Sequence, residues 1–352
     1  MKTIEDGKQK IFVKSSENMT EISDEVIDVI ITSPPYNVGK DYSNDRSRYN
    51  DKKRYSDYLS LLLKVFRECY RVLADDGIFF LNIGDSARDQ GKSEDVVRCA
   101  VEAGFKRLQT VIWAKSLFGK GHYTPSGGDR RLNNMWEFIF VLYKSKKYQI
   151  APKKIGIPYS DKSNIGRYSE EDRRDAGDIW FIPYLKTTGA TIKKGHEAPF
   201  PIELPLKCLK LVPGAKTVLD PFAGTGSTLR AAKELDLVGY GYELYPREDI
   251  IRERLEETLN PLKTPLLPQL EIYSEFLTKL QEKTLKKLNQ DQIDDFLKSL
   301  KKREKKLFYW ACQDLEKKPD IYEFVEISLG ENKPSKSTKP KQKTELSDFL
   351  KE

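Results

Sequence analysis

The chain has 352 residues, 38% hydrophobic and 33% charged, with a formal net charge of +7. That length accommodates one large α/β domain and a smaller appendage, and the absence of a long apolar run or of a leader-like start at Met1-Lys2-Thr3-Ile4 argues against a membrane or exported protein, so a cytoplasmic one is expected. Two histidines, His122 and His196, and four scattered cysteines, Cys69, Cys99, Cys208 and Cys312, leave little for a metal centre, a disulfide framework or a histidine base, while the positive excess suits a polyanionic partner.

In chain order, short apolar segments rich in β-branched and aromatic residues alternate with helical stretches, the pattern of a mostly parallel sheet. Strands are predicted over residues 11–13, 26–32, 78–83, 108–113, 138–143, 217–220 and 238–243, seven in all. The first of them is followed by Ser15-Ser16. The second is apolar through Ile31 and breaks abruptly at Thr32-Ser33-Pro34-Pro35-Tyr36-Asn37. Consecutive prolines restrict the backbone and remove two N–H donors, leaving rigidly aimed carbonyls at the end of a strand, where ligands bind in open α/β sheets.

Tyr55, Tyr58, Leu59, Leu62, Leu63, Phe66, Tyr70 and Leu73 then recur at helical spacing, and Asp75-Asp76-Gly77 is expected to end that helix. A second helix is predicted over residues 95–103, closed by Gly104. From 145 to 194 the regularity fails, and Lys, Arg, Gly, Pro and Tyr dominate. Lys120, Arg130, Arg131, Lys153, Lys154, Arg173 and Arg174, with Lys115, His122 and Arg167, are the residues of this region and its approach that can meet phosphate.

Thr217-Val218-Leu219-Asp220 next reads as a strand, Pro221-Phe222-Ala223-Gly224-Thr225-Gly226 as a glycine turn and 227–235 as a helix. Glycines let backbone approach a ligand closely, and the helix behind them presents free N–H groups. Leu229 stands where a dinucleotide fingerprint needs its third glycine, which argues against a dinucleotide. Glu243 closes the following strand, where a carboxylate can accept both hydroxyls of a ribose. Beyond Pro268, Leu, Lys, Glu and Gln dominate with helical spacing, and residues 333–341 have a linker's composition.

Thr32-Ser33-Pro34-Pro35-Tyr36 together with Phe222-Ala223-Gly224-Thr225-Gly226 resembles the S-adenosylmethionine-dependent amino-methyltransferases of DNA. With the proline loop ahead of the glycine loop and the basic segment between them, the order resembles the circularly permuted beta class. The likeness covers about residues 10–255. It implies a Rossmann-like doubly wound α/β sheet of seven strands, with a catalytic half at 1–144, a target-recognition insertion at 145–194 and a cofactor half at 195–260. A helical appendage at 261–330 and a disordered tail at 331–352 lie outside the family core.

The resemblance further implies Ser33, Pro34, Pro35 and Tyr36 as catalytic residues. Asp220, Phe222, Gly224, Gly226 and Glu243 would bind S-adenosylmethionine, with His196, Phe200 and Pro201 in a segment covering it. Asp178-Ile179-Trp180-Phe181-Ile182-Pro183 resembles a segment that closes target-recognition regions, whereas Ser15-Ser16 replaces a Gly-Asp that often contacts the adenine of the cofactor. Double-stranded DNA is the implied substrate, with a homodimer and a cognate restriction endonuclease as further partners to expect, and no metal. Ser33 favours cytosine-N4 over adenine-N6 as the target. An RNA amino-methyltransferase and a non-catalytic nucleic-acid-binding subunit remain the alternatives.

Overall fold

The architecture comes from a computed structural model, which describes residues 2–37, 53–85, 90–115, 134–156, 159, 162–167, 171, 173–182 and 200–257. By contact the chain separates into two units, Met1–Ile272 and Tyr273–Glu352. The second unit, and with it the predicted helical appendage and tail, lies outside the described residues.

Among the described residues nine strands form one sheet. They are β1 (Thr3–Asp6), β2 (Gln9–Phe12), β3 (Ile27–Thr32), β4 (Leu73–Ile83), β5 (Lys106–Ala114), β6 (Trp136–Tyr143), β7 (Ile179–Phe181), β8 (Thr217–Asp220) and β9 (Val238–Tyr242), arranged β1-β2-β9-β8-β3-β4-β6-β5-β7. The pairs from β2 through β9, β8 and β3 to β4 are all parallel, and β1 and β6 run against them. All seven predicted strands are present, so the doubly wound α/β expectation holds with two short strands added. β1 is an edge hairpin on β2, and β7 pairs in parallel with β5 through Ile112–Ile179 and Trp113–Trp180. Residues 179–181 of the basic segment are therefore built into the sheet, with Trp180 buried and the Trp113 indole N–H donating to the Ile182 carbonyl at 2.6 Å.

Helix α1 (Tyr55–Val72) crosses from β3 to β4 and buries Tyr58, Leu62, Val65, Phe66, Cys69 and Val72, one stripe at helical spacing. Full burial of a side chain such as Phe66 contributes roughly 1.5–3 kcal/mol, enough to hold the helix on the sheet without a side-chain N-cap. Helix α2 (Lys92–Glu102) packs beside α1 on that face. On the opposite face lie α3 (Glu203–Leu211) and α4 (Ser227–Glu234), and α5 (Glu248–Glu256) packs against α4.

Asp75-Asp76-Gly77, expected to end the helix, lies instead within β4, which begins directly where α1 ends at Val72. Between the pairs Ile27–Leu73 and Val29–Ile78 the register slips, so the extra residues bulge rather than turn. Gly77 permits this, because a Cβ there would lie 2.9 Å from the Asp28 carbonyl oxygen.

Chain direction along the sheet reverses between β8 and β3: from β8 the chain proceeds to β9 on one side, and from β3 to β4 on the other. Such a reversal opens a crevice at the carboxyl ends of the two strands, because their following connections cross opposite faces. The glycine turn and the proline loop both leave the sheet there.

Candidate active site

Thr32 and Asp220 end the neighbouring parallel strands β3 and β8. The Thr32 hydroxyl donates to Asp220 Oδ1 at 2.6 Å, the Thr228 hydroxyl donates to Oδ2 at 2.6 Å, and the Phe222 N–H donates to Oδ1 at 3.1 Å. Burial pushes this carboxyl up to about 6, against the opposing pull of the three donors. Asp220, expected to bind cofactor, is 1% exposed, and both oxygens are committed to the protein. It ties the proline loop, the glycine turn and α4 to one another.

Past Thr32, Pro34 is buried while Ser33, Pro35 and Tyr36 are half-buried. The Tyr36 ring packs on the α1–α2 core together with Phe222 and Phe138. Its carbonyl accepts a hydrogen bond from Lys92 Nζ at 2.8 Å, and Lys92 is itself buried at the start of α2. Asn37 has φ +52°, and its side chain clamps Lys53 from both sides, donating to that residue's carbonyl and accepting its N–H. The loop is thereby anchored before Ser33 and after Tyr36.

In the glycine turn Gly224 has φ +53° and Gly226 +87°, left-handed conformations that disfavour a side chain. Added Cβ atoms would meet nothing nearer than 3.9 Å, so the two glycines are required by conformation and leave space over the turn. Glu243 follows β9, and its carboxylate accepts the N–H of Gly224 at 2.9 Å and of Tyr245 at 3.1 Å. Burial raises its pKa, and the two N–H groups counter that rise. The hydroxyls of Thr225 and Ser227 are buried with no hydrogen-bond partner among the described residues. An open backbone cradle, two unused hydroxyls and a carboxylate steadied at a strand end fit a ligand carrying a polar tail and a ribose diol.

The structure thus brings Ser33, Pro34, Pro35, Tyr36, Asp220, Phe222, Gly224, Gly226 and Glu243 to one end of the sheet. Phe200 and Pro201 stand just before α3, Phe200 against the core on that face and Pro201 accepting the Leu204 N–H. Lys153 and Lys154, on the short 3-10 turn Pro152–Ile155, are gathered with Arg173 and Arg174, because Gly156 packs so tightly under the Arg174 carbonyl that a Cβ would lie 2.3 Å from its oxygen. His196, Lys120, Arg130 and Arg131 lie outside the described residues.

Sequence reading missed a polar row on the α3 side of the same strand ends. Asn82 Nδ2 donates to Ser33 Oγ at 3.4 Å and to Glu137 Oε2 at 2.9 Å, and Lys115 Nζ is paired with Glu137 Oε1. Lys115, grouped by sequence with the phosphate-facing cations, is here in an internal ion pair. The available signal was a polar residue inside each of two apolar strands, Leu81-Asn82-Ile83 and Trp136-Glu137-Phe138.

Residues 27–253 match the DNA methylase family N6_N4_Mtase. The chain is 28% identical over 272 residues to the Type II methyltransferase M.MjaI of Methanocaldococcus jannaschii, covering 67% of this chain and 86% of that one. It is 29% identical over 282 residues to the Type II methyltransferase M.SmaI of Serratia marcescens, covering 70% and 91%. Its fold is similar to that of the PvuII DNA methyltransferase (cytosine-N4-specific), with a TM-score of 0.53, 17% identity and coverage of 77% and 93%.

Proposed function

This chain belongs to the N6_N4_Mtase family of DNA methylases, and from that premise we propose that it methylates the exocyclic N4 amine of cytosine in double-stranded DNA, using S-adenosylmethionine. The observation that carries the reading is the buried Thr32–Asp220 bond, which holds the Ser-Pro-Pro-Tyr loop beside the glycine turn. When bound, S-adenosylmethionine supplies an electrophilic methyl group. Gly224, Gly226, Phe222 and Glu243 would hold it, Glu243 through the ribose hydroxyls.

The chemistry left to the protein is to make the amine nucleophilic. Its lone pair is conjugated into the ring, and hydrogen bonds from the amine to Ser33 Oγ and the Pro34 carbonyl favour a tetrahedral nitrogen with a localised lone pair. The Tyr36 ring supports the base, a contact worth about 1–3 kcal/mol for a stacked base. A methylated ammonium is acidic, so its proton passes to water without a strong base in the site. Alignment is the main contribution, and well-oriented reactants gain roughly 7–11 kcal/mol. A paired base cannot reach such a loop, so the target nucleotide leaves the duplex, at a cost of a few kcal/mol. Lys153, Lys154, Arg173 and Arg174 would meet the DNA backbone.

Cytosine is favoured by Ser33, and the relatives named Type II methyltransferases support a role in restriction–modification. Nucleoside mass spectrometry of DNA treated with the protein and S-adenosylmethionine tests the reading. N4-methylcytosine is expected. Methyladenine alone would transfer the mechanism to adenine-N6, and cofactor binding with no methylated nucleoside would leave a binding subunit.

A further inference from the structure

Four polar side chains lie in sequence across neighbouring strands: Ser33 after β3, Asn82 in β4, Glu137 in β6 and Lys115 after β5. Asn82 is 1% exposed and Glu137 9%. Glu137 fits over the end of β4 only because residue 84 is glycine, since a Cβ there would lie 2.5 Å from Glu137 Cγ. We propose that Asn82 is a positioning residue for Ser33, fixed in one orientation by the Glu137–Lys115 pair, so that the Ser33 hydroxyl is presented to the target amine in a single hydrogen-bonding sense. This rests on the reading of Ser33 as a group that meets the amine.

The end of the Asn82 amide that faces Ser33 sets the sense of their hydrogen bond. An amide can be turned over with little change of shape, so its neighbours decide. Glu137, paired with the Lys115 ammonium, offers only acceptor oxygens, and therefore the NH2 end must face it. That same nitrogen is the atom near Ser33 Oγ. Ser33 consequently accepts from Asn82 with one lone pair and directs its second lone pair and its own hydrogen elsewhere. Without Glu137, the amide could turn and make Ser33 its donor, which would rotate the hydroxyl.

Packing does not explain the residue. Asn82 stands in the apolar run Phe79-Phe80-Leu81-Asn82-Ile83, and its own Oδ1 is buried with no partner. A leucine would fill such a place without leaving a carbonyl oxygen unsatisfied. What leucine could not do is donate to Glu137 and, from the same nitrogen, to Ser33.

Steady-state kinetics of Asn82→Leu, Ser33→Ala and the double variant, all in the full chain, test the proposal alongside thermal unfolding and calorimetric titration with S-adenosylmethionine. Asn82→Leu should fold, bind the cofactor as the parent does, keep its KM for DNA and lose roughly ten- to hundredfold in kcat, the scale of a misplaced reactive group. In the Ser33→Ala background the same change should cost nothing further. Parent kcat in Asn82→Leu, or losses that multiply in the double variant, would overturn the proposal. If Ser33→Ala itself turns over normally, the reading of Ser33 fails first. A slow Ser33→Ala beside a fast Asn82→Leu sinks the positioning role alone. Should Asn82→Leu not fold, Glu137→Gln carries the same test: its kcat must fall, and that fall must vanish without Ser33.

Discussion

The Thr32 hydroxyl and the Asp220 carboxylate meet at 2.6 Å in the interior, although 188 positions separate them in the chain. Through this contact the end of the proline-loop strand and the end of the glycine-turn strand share one buried anion. Displacement of either loop therefore costs a hydrogen bond to a charge.

Replacing Thr32 by valine keeps the shape and removes the donor. A hydrogen bond to a charged group contributes about 1.5–3 kcal/mol, and a loss of that order is expected near pH 8. Burial has already raised Asp220 to about 6, so stability linked to its protonation is complete below its ordinary value and lost as pH rises through 6. Removing a donor to the anion raises that value further. The penalty should thus be larger at pH 8 than at pH 5, as read by urea denaturation, and equal penalties would contradict an ionised partner.

Glu203, in the first turn of α3, is 6% exposed, and burial pushes its carboxyl up to about 7 from 4.5. The folded state holds this proton more tightly than the unfolded chain does, so stability declines from about pH 4.5 until the group has ionised above 7. Glu203→Gln should remove that decline. At pH 8 the variant is expected to be more stable by on the order of 3 kcal/mol, at 1.36 kcal/mol per pH unit, with little difference at pH 4. Thermal melts across this range provide the check.

Gly226→Ala isolates backbone strain from crowding. The new methyl would have no neighbour closer than 3.9 Å, yet φ is +87°. About 1–2 kcal/mol of destabilisation is expected from conformation alone, together with weaker S-adenosylmethionine binding. Gly241→Ala is the contrasting case, because its Cβ would lie 2.9 Å from Ala223 Cβ and 3.1 Å from Leu229 Cδ1. Denaturant titration of the two separates strain from overpacking.

Glu243→Gln leaves a single acceptor where two N–H groups now converge on two oxygens. Affinity for S-adenosylmethionine should fall about ten- to hundredfold, the equivalent of losing one charge-assisted bond. Calorimetry reads this directly, and parent affinity would remove Glu243 from the proposed cradle.

Much of this was written in local pattern. Apolar runs ending in Pro34-Pro35 and in Gly224-Thr225-Gly226 announce strand ends with unusual backbones, and the helical stripe from Tyr58 to Val72 is plain because 3.6-residue periodicity is a short-range signal. The strand β7 was not recognised as one, since Ile179-Trp180-Phe181 is too short to show alternation and depends on the edge of β5 for its hydrogen bonds. Asp75-Asp76-Gly77 does not end α1, because the flanking Leu73 and Ile78 pair with β3 and leave these residues in a bulge of β4. Asp220 looked like a ligand-binding carboxylate, and only its neighbours Thr32 and Thr228 reveal an internal tie.

The sequence by itself determined most of the strands, the helices α1, α2 and α4, and where two loops break from strand ends, because proline, glycine and periodic apolar residues act through their own backbone and nearest neighbours. Which strands became neighbours was decided by tertiary structure. Backbone hydrogen bonds pair any two strands equally well, so the order placing β3 between β8 and β4 follows from burying α1 and α2 on one face and α3 and α4 on the other. That order alone makes Thr32 a partner of Asp220 and aligns Ser33 with Asn82, Glu137 and Lys115.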